Sequence, residues 1–230
     1  MNLPISPQVK ITFSKRKTIG LYVNGKGVEV RAPHGTSKSY IQGFINSKQD
    51  WIVKKLNEAQ AKQSEKYQLR DGSVIPIIGE NKTLEITMGS RNQVIETNNT
   101  LFLHVSRLDQ ARINKVFSDF LIAKAKQLIP SIANEVAEAA GLKQRLKDIK
   151  FRRTKTKWGH CTHDGRLQFN WLIMMAPYKI IRSLVIHEVC HLAHLNHSQA
   201  FWDLVKKHDP DYLLSKHWLN VHGHKLALFE

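Results

Sequence analysis

An α+β fold follows from three features of the 230-residue sequence. Segments of alternating apolar and polar residues crowd the first half, apolar residues at helical spacing dominate the second, and the two kinds of segment nowhere alternate as βαβ units do. Strands first and helices later predicts a β-rich amino-terminal domain with one helix over residues 1–106. A second domain over 107–230 then combines most of the helices with a small sheet.

The elements follow in order. "KITFSKRKTIGLYVNGKGVEVRAP" carries an Asn-Gly pair at 24–25 between alternating segments, a hairpin signal. A helix is expected from about Ser37 to Ala61, with Ile41, Phe44, Ile45, Trp51, Ile52 and Leu56 spaced to give one apolar face. "SVIPIIGENKTLEITMGSRNQVIETNNTLFLHV" reads as further strands with turns at Gly79, Gly89 and "TNNT". From about Leu108 the period becomes helical, and Ile113, Phe117, Phe120, Leu121 and Leu128 form a stripe. Pro130 is expected to kink or break it before "SIANEVAEAAG" ends at Gly141. "LKDIKFRRTKTKWGHC" is a strand candidate. In "GRLQFNWLI", Leu167, Phe169 and Trp171 face one way and Arg166, Gln168 and Asn170 the other. Pro177 suits the first turn of the helix that follows.

Composition narrows the class. A hydrophobic content of 42% is ordinary for a globular protein, and two cysteines, Cys161 and Cys190, imply no disulfide framework. The amino terminus lacks a basic segment followed by an apolar one, and no apolar run approaches a membrane span, so a soluble cytoplasmic protein is expected. The formal net charge is +16, which favours anionic partners such as nucleic acid or nucleotides, or is simply a solvated basic surface.

The densest chemistry lies in "HEVCHLAHLNHSQAFW", where four histidines and one glutamate occupy the eleven positions 187–197. On a helix, His187 and His191 stand one turn apart on one face, so both rings can reach one ion. Glu188 sits beside the first, where it can contact a water on the metal without being a ligand. Two ligands and a general base are the mechanical content of H-E-x-x-H. Ile180 and Leu184 precede His187 on the same stripe, so the rings lie at the inner end of a buried face. A third ligand is expected from His194 or His197. His194 would lie roughly 10 Å along a continued helix, by the rise per residue. His197 is preferred, provided the chain reverses before it with Asn196 in the left-handed conformation. Ser198 can then cap a helix "QAFWDLVKKH" whose Phe201, Trp202 and Val205 dock against the first. Three imidazoles and a water suit one Zn2+ per chain, although nickel, cobalt or manganese could load the same cage. Cys190, on the far side of the helix, reads as core.

Taken together, "KWGHC…GRLQFNW…VIHEVCHLAHLNHSQAFW" resembles the YgjP-like metal-dependent hydrolases, zincins related to the SprT and WLM metallopeptidase groups. "SKRKTIGLYV", "VRAP" and "INSKQDWIVKKL" extend the likeness over nearly the whole chain. The resemblance implies a zincin-like catalytic domain in the second half, with His187, His191 and His197 as ligands and Glu188 as base. His160 departs from the family's pattern, which has Ser in that place, and sets another titratable ring beside the expected site.

Metal-assisted hydrolysis is the implied chemistry, and three substrates compete. A zinc peptidase follows from the motif, with "GRLQFNW" as the edge strand along which a peptide extends. A nucleoside triphosphate (UTP) pyrophosphatase is implied by an activity attached to the family; the run "KFRRTKTKW", with Lys150, Arg152, Arg153, Lys155 and Lys157, would suit phosphates. A nucleic-acid-associated protease is the analogy with the SprT group. Arg152, Arg153 and Lys155 are thus candidate phosphate contacts. His160, Arg166, Asn170 and Tyr212 are candidates for contacting substrate or stabilising an oxyanion. His217, His222 and His224 near the carboxyl terminus have nothing to fix them into a second site.

Overall fold

A computed structural model describes residues 9–24 and 27–228. The chain divides into two compact units, Met1–Lys66 and Tyr67–Glu230. The division falls after residue 66 and not at 106, because the strands beyond residue 73 share one core with the long helix that follows them.

In the first unit, β1 (Val9–Ser14), β2 (Gly20–Asn24) and β3 (Gly27–Pro33) form a sheet in the order β1-β3-β2, with β1 parallel and β2 antiparallel to β3. Asn24 pairs with Gly27 across the expected hairpin, and Gly25 of its Asn-Gly signal lies outside the described residues. Val30, Ala32 and Ile41 make a small core. The helix expected from Ser37 to Ala61 is two helices, α1 (Lys38–Ser47) and α2 (Gln49–Ser64), divided at Lys48, whose φ of −115° and ψ of 14° leave the helical region. Polar groups at the junction take the bonds that would continue it: Ser47 Oγ donates to the Phe44 carbonyl, and the Lys48 N–H donates to that of Ile45. The break splits the apolar stripe, burying Ile41 and Ile52 but leaving Trp51 42% exposed.

The second unit begins with β4 (Val74–Ile77), β5 (Glu80–Met88), β6 (Gln93–Glu96) and β7 (Thr100–Val105), ordered β4-β5-β7-β6 with β5 and β7 parallel. The two-residue turn after β4 places Ile78 at φ 52° and Gly79 at φ 86°, the primed geometry that suits a twisted hairpin. Positive φ is unusual for a β-branched side chain. Here the Ile78 N–H donates to the Met174 carbonyl at 2.7 Å, and a Cβ on Gly79 would stand 2.9 Å from Pro177 Cα. The hairpin is thus clamped to the segment that leads into the histidine-bearing helix.

Helix α3 (Gln110–Ala139) starts where Asp109 Oδ1 accepts from the Arg112 N–H. Pro130 does not end it. Ala125, Ile129, Ile132, Ala133 and Val136 are buried on both sides of the proline, and their packing outweighs the roughly 3 kcal/mol that an internal proline costs. The helix stops as its glycine implies. Gly141 has φ 70°, its N–H donates to the Glu138 carbonyl, and the Leu142 N–H donates to that of Ala137, the paired bonds of a Schellman cap. No atom lies within 4 Å of a Cβ built on Gly141, so Gly141→Ala tests the backbone alone. It is expected to cost about 1 kcal/mol and to lower the melting temperature by about 2–4 °C, measured by calorimetry.

The segment expected as one strand up to Cys161 is two, β8 (Asp148–Phe151) and β9 (Gly159–Cys161), separated by a loop over 152–158. β10 (Arg166–Phe169) lies between them, parallel to β8 and antiparallel to β9. Leu167 and Phe169 point inward, but the alternation stops there. Asn170, expected to face out with Arg166 and Gln168, is 4% exposed and caps a short 3-10 helix over Trp171–Met175. Helices α4 (Tyr178–Cys190), α5 (Gln199–His208) and α6 (Tyr212–His222) complete the unit, and α4 packs against α3, α5, α6 and β9. No helix among the described residues is long and apolar enough to cross a membrane.

Candidate metal centre

Helix α4 carries the site because its inner face is apolar from end to end: Ile180, Ile181, Leu184, Val185, Ile186 and Val189 are buried. That face brings His187 and Glu188 to its last turn, with His191 as the capping residue. Beyond it the chain tightens. The Leu192 and Ala193 N–H groups donate three residues back, to Val189 and Cys190, and Arg145 Nη1 donates to the Leu192 carbonyl at 3.0 Å. Asn196 does not take the left-handed conformation expected of it, since Ile78 is the one non-glycine residue at positive φ among those described. The reversal is instead spread over the short turns of 191–196. Ser198 holds the cap position of α5 without a side-chain cap bond.

The reversal brings His197 back to the other two rings. One nitrogen of each of His187, His191 and His197 lies within 4.8 Å of the others, the arrangement of a group able to hold a metal ion. Three observations fit the set to a cation. His191 Nδ1 lies 2.9 Å from the His194 carbonyl, which can only accept, so the proton sits on Nδ1 and Nε2 keeps its lone pair for the centre. His187 Nε2 and His197 Nε2 face each other at 3.2 Å, a pairing that satisfies one nitrogen at most unless a positive ion lies nearby. Burial, reinforced by the His191 and His197 rings and by Lys216, pushes His187 down to about 3, so its ring is neutral and able to ligate at neutral pH. Burial lowers His191 in the same direction.

Aromatic packing from α5 and α6 orients the rings. Phe201 stacks on His191 at 4.4 Å between centroids, and Trp202 stacks on His197 at 5.3 Å. Tyr212 stacks on the Trp202 ring, and Lys216 Nζ lies 5.1 Å from that ring's centroid. Phe201 and Val205 are fully buried in this contact.

Glu188 lies on the adjacent flank of α4, 5% exposed, and burial pushes its carboxyl up to about 8 against the opposing field of Lys157. Its seat is Gly159 on β9. A Cβ there would meet Glu188 Oε1 at 2.4 Å and both Cγ and Cδ at 2.6 Å, so only glycine leaves room for the carboxyl. Cys161, two residues along the strand, is pushed up to about 11 by burial, with Glu188 and Asp164 adding to the shift.

The remaining expected residues are placed as follows. His160, Gln168 and Asn170 line a small cavity with Lys157 and Gly159, whereas Arg166 pairs with Asp164 at 3.2 Å. Asn170 is occupied in holding the chain: Oδ1 accepts from the Leu172 N–H and Nδ2 donates to the Thr154 carbonyl. Tyr212 is drawn into the aromatic stack. Arg152, Arg153 and Lys155 are exposed on the 152–158 loop and do not line that cavity. His194 contributes a carbonyl. Cys190 is fully buried, and burial pushes its thiol up to about 12. Among the described residues, His217, His222 and His224 join no group able to hold a metal. Sequence reasoning missed Gly159 as part of the site, and it named Lys157 only within a run that would suit phosphates. Their only signal is the "KWGHC" block, where nothing in the spacing shows that a strand glycine seats Glu188 or that a loop lysine's charge acts on it.

Among solved structures, the metallopeptidase zymogen abylysin of Pyrococcus abyssi is similar at 17% identity and a TM-score of 0.37, covering 42% of this chain and 93% of its own. Jannalysin of Methanocaldococcus jannaschii, also a metallopeptidase zymogen, is similar at 16% identity and a TM-score of 0.35, covering 41% of this chain and 94% of its own. Comparison with curated proteins gives no match. Residues 17–222 match the YgjP-like, metallopeptidase domain family, and the chain belongs to that family.

Proposed function

We propose that the protein is a zinc-dependent peptidase with an H-E-x-x-H-x5-H site, in which His187, His191 and His197 hold one metal ion and Glu188 is the general base. The observation that carries this reading is the convergence of three imidazole nitrogens within 4.8 Å, next to a carboxyl buried one residue along the same helix. A divalent cation held there supplies Lewis acidity toward a water and a substrate carbonyl, and a positive field beside Glu188. Glu188 takes the proton of the attacking water and returns it to the leaving nitrogen, so one residue serves as base and then as acid. Its seat against Gly159 fixes the carboxyl, and burial excludes competing water.

The peptide's place differs from the one read in the sequence. β10 is the central strand of its sheet and both its edges are paired, so it cannot receive another chain. β8 and β9 are the edge strands, and of the two β9 lies beside Glu188. An extended peptide adding to β9 would run past the three histidines with its main-chain groups satisfied. Phosphate contacts by Arg152, Arg153 and Lys155 have less support, since their loop positions leave Lys157 as the one cation of that run in the cavity beside Glu188. The net charge of +16 supports anionic partners in general, nucleic acid among them.

Metal removal tests the reading. The purified protein is expected to contain one zinc per chain by elemental analysis and to cleave unfolded protein substrates such as casein. A chelator should abolish cleavage and zinc should restore it. His197→Ala should weaken metal retention by more than the roughly 10–100-fold that loss of a supporting hydrogen bond costs. A protein that retains its metal after His197→Ala, or that releases pyrophosphate from UTP and leaves casein intact, would overturn it.

A further inference from the structure

The cavity beside Glu188 holds about 110 Å³, the share of three or four liquid water molecules. That is room for a short side chain. Gly159, whose missing Cβ makes room for Glu188, is also in its wall, and Lys157, whose charge acts on the Glu188 carboxyl, lines it. None of its eight lining residues is acidic. The donors facing it are the Lys157 ammonium, the Thr156 hydroxyl, the Gln168 amide and the His160 ring. Among the described residues, none of these four side chains gives a hydrogen bond to a protein acceptor.

The wall is also built. Thr154 Oγ1 donates to the Lys157 carbonyl, closing a turn. The buried Asn170 holds both ends of that turn, with Nδ2 donating to the Thr154 carbonyl at 3.0 Å and its N–H donating to the Trp158 carbonyl at 2.8 Å. Gln168 and His160 are partners across the β9–β10 pair, so the two project side by side. A lysine among donors that bond to no protein acceptor, with no acidic residue in the wall, is complementary to an anionic group small enough to enter.

We propose that this cavity is a specificity subsite for a carboxylate on the substrate residue flanking the bond cleaved, an aspartate or glutamate side chain received by Lys157 with Thr156 and Gln168. The proposal rests on the peptidase reading. A free chain terminus offers the same oxygens, so the test separates the two sources.

Peptides identical except for Glu, Gln or Lys at each position flanking the bond, each with a free and an amidated carboxyl terminus, are incubated with the zinc-loaded protein. At one position Glu should exceed Gln by about tenfold in kcat/KM, with Lys slowest, whether or not the terminus is amidated. Lys157→Glu should invert the order, Lys over Gln over Glu. The ratio is read within one variant, so a change in overall rate cancels. Equal rates for the three peptides, an order unchanged in Lys157→Glu, or a preference that disappears on amidation would overturn the proposal. If no peptide is cleaved, calorimetric binding of the Glu and Gln peptides to Glu188→Gln protein separates the two failures. Tighter binding of the Glu peptide that reverses with Lys157→Glu keeps the subsite while the peptidase reading falls, and equal affinities sink the subsite.

Discussion

Glu188→Gln is expected to lower peptide hydrolysis by about 10²–10⁴-fold, the range a positioned general base contributes, while metal content stays at one per chain. The amide has the carboxyl's shape and fits against Gly159, but it cannot accept and return a proton. The substitution also has a signature that needs no substrate. In the metal-free protein, burial holds the Glu188 carboxyl up at about 8, against 4.5 for the free side chain, so the folded state keeps a proton that the unfolded chain releases. Stability then falls as pH rises between those values. His187 acts in the opposite sense: held down to about 3, it makes stability rise with pH up to about 6.5, where the unfolded ring gives up its proton. Above pH 6.5 only the glutamate's slope remains of these two. The metal-free wild type should therefore lose roughly 2 kcal/mol between pH 6.5 and 8 relative to Glu188→Gln, measured by urea unfolding of both proteins in chelator. Parallel stability profiles would show that the carboxyl is not held in a desolvated seat, and unchanged hydrolysis would remove Glu188 from the chemistry.

The parts of this site legible in the sequence are those written in local spacing. His187, Glu188 and His191 follow from helical periodicity, and the buried stripe ending at Val189 follows from the same period. His197 was reachable because only a chain reversal could bring a third ring back, although the reversal is made by successive tight turns and not by Asn196. The Schellman end of α3 was legible because Gly141 has one conformational purpose there. The misreadings share a cause. Local propensity at Pro130 allows a break that packing on both sides of the proline prevents, and the 37–61 segment, one helix by its periodicity, is divided at Lys48 by local polar bonds. "GRLQFNW" alternates as an edge strand would, but whether a strand lies at an edge depends on pairing with β8 and β9, residues 5 to 21 positions away, which no local pattern encodes. Asn170 read as an exposed polar residue because the alternation was carried one residue past the strand's end. The approach of Gly159 to Glu188 and the effect of the Lys157 charge on it are likewise non-local.

Gly159→Ala is the sharpest test of that non-local part. One methyl group on β9 would fall 2.4–2.6 Å from three atoms of Glu188, distances no packed carbon tolerates. The backbone there is free of positive φ, so alanine meets no conformational penalty and the cost is steric alone. Glu188 cannot yield by swinging only its tip, because Cγ is as close as Cδ and the side chain is buried. Either the carboxyl leaves its position or β9 moves off α4, and both displace the base from the histidines and from a peptide on the edge strand. A displacement of about 1 Å is enough to lower activity by about 10²-fold, and overpacking of this kind costs about 1–3 kcal/mol of stability. The partner variant separates cause from accident. Glu188→Ala removes all three clashing atoms, so adding Gly159→Ala to it should change stability by less than about 0.5 kcal/mol. If Gly159→Ala is as destabilising with alanine at 188 as with glutamate, the glycine serves some other contact. If the single variant melts and turns over like the wild type, the carboxyl is not seated against β9, and neither its elevated pKa nor its role as an anchored base would follow from this packing.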